Sequence, residues 1–170
     1  MATTRAAVTD SSADEVRTLA DGIVGGLVGA ATIAFWFLIV DTLNGRPFFT
    51  PTVLNAAFLR GGEGLQAPGE LAITLQSVIG FTWVHGLAFV LLGSAVSRLL
   101  AVAERNPNVG FGILLLFVVF ECGFLVACAL FAEPVLQALA WEAVVVGNLL
   151  AAGAMAAFFW RRHPGLTIQP

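Results

Sequence analysis

The chain has 170 residues, of which 58% are hydrophobic and 11% charged, with a formal net charge of −3. Soluble domains carry about 45–50% apolar and about 25% charged residues, and a fold this small cannot hide so large an apolar excess. A mean hydropathy of +0.90 and a pI near 5.2 therefore exclude a soluble enzyme, a disordered chain and a nucleic-acid binder, and leave an integral membrane protein.

Residues 1–20, MATTRAAVTDSSADEVRTLA, are polar and acidic. A secretory leader would place its apolar core soon after a basic start; here the apolar run begins after Asp21. The reading is a short cytoplasmic tail before an uncleaved first span. Ser11 or Ser12, followed by Asp14 and Glu15, would cap a short lead-in helix.

Spanning helices need roughly 20 mostly apolar residues. Four runs qualify: about 22–43, 71–100, 109–132 and 134–160. Spanning strands would be only about 9–11 residues long with alternating polarity, so the expected fold is all-α, a four-helix integral membrane bundle. In the first run Gly22, Gly26, Ala30 and Ala34 recur every four residues, and in the fourth Ala143, Gly147, Ala151 and Ala154 form a second stripe. Small residues at that spacing let helix backbones approach closely, within the chain or against a neighbouring copy.

The connections differ in length. Glu104 to Pro107 makes a short turn between spans two and three, and Glu133–Pro134 a tight one between three and four. Residues 44–70 form a long outer loop. Thr50 is expected to N-cap a short helix over 51–60, with Pro51 in its first position and Gly61 after its last turn. Val53, Leu54, Ala57 and Phe58 would be its apolar face, lying on the outer membrane surface or capping the bundle.

With four spans both termini share one side, together with Arg5, Arg17, Arg98, Arg105, Arg161 and Arg162; only Arg46 and Arg60 fall on the other. The positive-inside rule then makes both termini cytoplasmic, with Trp160 as an interfacial anchor. All eight basic residues are Arg, which reads as GC-rich coding and hence a bacterial inner membrane.

Chemistry would have to come from polar groups within the apolar runs, since ionisable residues at membrane depth are costly. These are Asp41, His85, Glu121 and Glu142, with Thr82 near His85 and Asn148 available for a bond across helices. Asp41 continues the small-residue face of the first span, or else sits at the interface near Arg46. His85 and Glu121 fall at similar depth on antiparallel neighbours. Three readings follow: structural pairing, a proton path from Glu142 through Glu121 to His85, or a metal site that adds Cys122 or Cys128. The last lacks paired Glu-x-x-His motifs and paired cysteines at zinc spacing. A haem or pigment ligated by His85 needs a second ligand from a partner, because His163 lies beyond the fourth span. No phosphate loop, nucleophile elbow or HExxH motif occurs, and no cofactor is expected. Short loops, the lack of a soluble domain and the lack of a complete catalytic constellation point to a non-enzymatic membrane protein, an accessory subunit or homo-oligomer in the bilayer. The rival is a small transporter or proton conductor.

The glycine-rich first span leads into Asp41-x-x-x-Gly45-Arg46-Pro47-Phe48-Phe49-Thr50-Pro51. In this the chain resembles small bacterial four-helix membrane proteins. The resemblance covers the first helix and the start of the outer loop, and it implies the architecture without an activity or a functional residue.

Overall fold

A computed structural model describes residues 2–106 and 139–163. Among them are four α-helices: α1 (Ala2–Leu43), α2 (Phe49–Leu59), α3 (Leu75–Arg105) and α4 (Trp141–Arg162), with a 3₁₀ turn at Pro68–Glu70. The described residues are helical or irregular, without strand. Three helices, Asp14–Leu43 within α1, α3 and α4, are long and apolar enough to cross a membrane. The predicted third span, 109–132, with Glu121, Cys122 and Cys128, and residues 134–138 of the fourth lie outside the described residues.

The element boundaries depart from the apolar runs in ways that local chemistry explains. No Gly or Pro interrupts the chain from Ala2 to Asp21, so the polar tail is helical and continuous with the first span. No capped break occurs at Ser11 or Ser12. The second span begins four residues later than its apolar run, because the Thr74 hydroxyl accepts the Ser77 N–H at 3.1 Å and caps α3 there. That helix then runs on through Arg98 to Arg105, since charge at its end does not interrupt the backbone ladder. The fourth begins at Trp141 and reaches Arg162, after an extended Ala140.

α2 spans 49–59 rather than 51–60, and Thr50 is not its N-cap. Phe48 takes that position in the left-handed region at φ 67°, with no side-chain cap, and Thr50 lies inside the first turn. Gly61 does follow the last turn, at φ 60°, where a glycine adopts the left-handed backbone without a Cβ penalty. Its buried residues are Thr50, Thr52, Val53, Asn55 and Ala56, whereas Phe58 is exposed. Of the expected face, Val53 is fully buried and Leu54 and Ala57 are half-buried, but Phe58 points outward; the inward face instead adds Thr50, Thr52, Asn55 and Ala56, because α2 packs closely on α3, with Asn55 against Gly80.

α1 makes its main contacts with α3 and α4 and runs antiparallel to both. On the α3 side Gly22 lies against Gly93 and Ser94, Gly26 against Phe89 and Val90, and Ala30 against His85. On the α4 side Gly25 lies against Phe159, Gly29 against Met155, and Trp36 against Gly147. The glycines permit backbone-to-backbone contact. A Cβ at Gly22 would sit 2.5 Å from Ser94 Cα, and one at Gly26 would strike the Phe89 carbonyl. Ala30 extends this face, but Ala34 is exposed; the buried line continues through Phe37 to Asp41. The reason is rotation: four-residue steps overshoot the 3.6-residue turn and drift around the helix. α4 buries Gly147, Ala151, Met155 and Phe159, so its stripe ends on large side chains that fill the space left by Gly25 and Gly29.

Substituting Gly26 by Leu should therefore prevent the α1–α3 approach. Overpacking costs about 1–3 kcal/mol, and here the obstacle is rigid backbone, so the loss should reach at least the top of that range. Ala34→Leu, on an exposed position of the same helix, should be near neutral. Thermal unfolding in detergent followed by helical circular dichroism separates the two.

Candidate functional site

Among the described residues, Asp41, His85, Thr82, Glu142 and Asn148 stand apart from one another; Glu121 lies outside them. Asp41 is 4% exposed and its carboxylate accepts two bonds from Thr50, from the backbone N–H at 2.7 Å and from the hydroxyl at 2.7 Å. It thus satisfies the first turn of α2 from another helix, a charge-assisted cap. Arg46 stands beside this joint, 4.1 Å above the Phe49 ring, and donates to the Leu71 carbonyl at 3.3 Å. Asp41, Arg46, Thr50 and Leu71 together tie α1, α2 and the approach to α3.

His85 is half-buried in mid-α3. Its Nε2 faces the Ala30 carbonyl at 3.3 Å, and its ring lies between those of Phe81 and Phe89, tilted against both, with centroids 5.6 and 4.8 Å away. Thr82 does not join it: that residue is exposed and its hydroxyl returns to the Val78 carbonyl of its own helix. Glu142 is exposed in the first turn of α4, where a carboxylate complements the helix N-terminus. It stands at the end of the helix, not at mid-depth, because α4 starts later than its apolar run. Asn148 is half-buried, with no side-chain hydrogen bond among the described residues. A Trp36 bond does cross the helices, from Nε1 to the Ala143 carbonyl at 2.8 Å.

A cluster of polar contacts lies at the opposite end from α2, the arginine-rich end, where the residue pattern pointed to orientation and no site. The start of the apolar part of α1 meets the C-terminal ends of α3 and α4 there around a cavity of about 380 Å³, lined by Arg17, Asp21, Glu104, Arg105, Arg162 and His163 among others. Arg162 Nε lies 3.3 Å from Asp21 Oδ1, and His163 Nδ1 lies 3.1 Å from Glu104 Oε2. Ser97, fully buried, donates to the Thr18 carbonyl at 2.7 Å. The Glu104 carboxylate accepts, so Nδ1 carries the proton, while the buried Nε2 has no partner among the described residues. A sequence signal for His163 existed: it continues the four-residue line Gly147, Ala151, Met155, Phe159.

Chemically, this end clamps three helices with three cross-helix polar contacts. Among the described residues no three His, Cys, Asp or Glu side chains gather as metal ligands, and Ser77 and Ser97 spend their polar atoms on Thr74 and Thr18. The geometry at this end holds helices together. No protein-family model, curated protein or solved structure matches the chain.

Removing the Asp41 carboxylate should test the joint at α2. Asp41→Ala strands a buried N–H and a buried hydroxyl, each costing about 1–3 kcal/mol, so a loss of at least 2 kcal/mol is expected on the same scale. Asp41→Asn keeps one acceptor and should lose roughly half as much. Equal losses for both variants in detergent unfolding would show that the paired oxygens do not carry the contact.

Proposed function

We propose that the chain is a multi-pass protein of the bacterial inner membrane that acts without catalysis, as an accessory subunit of a larger membrane complex. The observation that carries this reading is the outward surface of the three long helices. Phe35 is 66% exposed, Trp83 75%, Leu91 63%, Leu149 67% and Trp160 69%. Large apolar side chains left open on every long helix require lipid or another protein against them, since soluble monomers expose only small contiguous apolar patches.

The arrangement of the ends supports four crossings. α3 finishes at the end that holds Arg17, Arg98, Arg105, Arg161 and Arg162, while α4 starts at the other, near Arg46 and Arg60. On this reading residues 109–132 make the return crossing, and the arginine-rich end faces the cytoplasm. The cross-helix contacts Asp21–Arg162, Glu104–His163 and Ser97–Thr18 at that end, and Asp41–Thr50 at the α2 joint, suit a role in assembly rather than turnover. A proton path draws less support. His85 directs its ring nitrogen to Ala30, and Glu142 stands at the end of α4.

Membranes washed with alkaline carbonate should retain the protein. A fluorescent protein fused after Pro170 should be bright, and alkaline phosphatase inserted at Gly62 should be active. After gentle detergent extraction, native mass measurement should find a co-purifying partner or a defined oligomer. A clean monomer without partner would overturn the subunit reading, and an inactive phosphatase at Gly62 would overturn the orientation.

A further inference from the structure

We propose that the groove between α1 and α4 at the arginine-rich end is a binding site for one anionic glycerophospholipid, a proposal that rests on the membrane reading above. The groove has a volume of about 420 Å³ and is lined by Val28 of α1 and by Ala154, Ala157, Phe158, Arg161 and Arg162 of α4. Its floor is apolar and its small alanines leave room. From Ala154 to Arg161 it runs roughly 10 Å along the helix, at about 1.5 Å per residue. An acyl chain fits such a slot, and a polar molecule would lose hydration in it without recompense.

The charge lies at one end only. Arg162 is held in place from two sides: its Nε is 3.3 Å from Asp21 Oδ1, and its guanidinium lies 5.5 Å from the centre of the Phe158 ring. Asp21 partners Arg162 alone, and Arg161 forms no ion pair among the described residues, so its guanidinium charge is not offset there. This excess of positive charge sits next to Trp160, which is exposed and of the residue type that settles at the headgroup level. A phosphodiester at that level would meet Arg161 and the remaining donors of Arg162. Basic pockets between spanning helices on the cytoplasmic side suit anionic headgroups for this reason. The occupant is thus a molecule with an apolar tail and a single anionic group about one helical turn beyond it, which is a bilayer phospholipid.

The test uses the full chain, purified in mild detergent and given equimolar phosphatidylglycerol and phosphatidylcholine, with bound lipid counted by native mass spectrometry. Phosphatidylglycerol should be retained several-fold over phosphatidylcholine. Arg161→Gln should lower its retention about fivefold, matching one juxtamembrane arginine. Ala157→Phe should fill the groove and lower it as far while leaving both arginines. Both positions are exposed on α4, and unchanged helical circular dichroism confirms that each variant folds. Glycerol 3-phosphate, the headgroup without chains, should not compete. Equal retention of the two lipids, undiminished retention in both variants, or full competition by glycerol 3-phosphate would each overturn the proposal. Carbonate extraction separates the two levels of inference: a protein that stays in the membrane yet shows no lipid preference refutes the lipid site alone.

Discussion

Backbone contact between α1 and α3, at Gly22, Gly26 and Gly93, sets the register on which every other contact between the described helices depends. With those three positions in touch, Thr18 falls opposite Ser97, Ala30 opposite His85, and the start of α3 comes level with the end of α1, where α2 docks. Apolar side chains alone would not fix this alignment, because lipid tails are as good an environment for Leu and Phe as a neighbouring helix. Close approach of small residues provides the van der Waals contact that lipid cannot.

On the other side of α1 the same glycine-rich helix solves a different packing problem. Gly25 and Gly29 do not meet backbone; they receive the Phe159 ring and the Met155 thioether. One helix thus presents a flat edge to α3 and two sockets to α4. The two surfaces lie side by side because one adjacent pair of glycines, at 25–26, is flanked by single glycines at 22 and 29.

Polar contacts gather at the two ends of this assembly. Asp41 holds α2 at one end, and Asp21–Arg162 with Glu104–His163 closes the other. Between them lie one histidine on a backbone carbonyl and one tryptophan on another. An unsatisfied polar group is costly away from water; among the described residues Trp36 and His85 direct ring nitrogens to carbonyls of a neighbouring helix, and the ion pairs lie near the helix ends. The Asp41 joint also accounts for the left-handed Phe48: a turn tight enough to bring Thr50 back onto α1 bends the chain at a residue that seldom adopts that backbone.

Helical class, three of the membrane-length segments, the glycine face of α1 and the short helix after Arg46 were legible in the residues, because they follow from run length, spacing of small side chains and the turn chemistry around Gly61. Helix starts were less legible, since an apolar run says where lipid is tolerated and not where a backbone cap forms; Thr74 and Trp141 mark the difference. Which polar groups meet was decided by the tertiary structure alone. Thr50 reads locally as a cap for its own helix, yet it bonds to Asp41. His163 reads as a residue beyond a span, yet it closes against Glu104 on a different helix. Local sequence specifies how far each side chain lies along its own helix. It does not specify the sliding and rotation of one helix against another, and a shift of a single turn, about 5.4 Å, is enough to separate every one of these pairs.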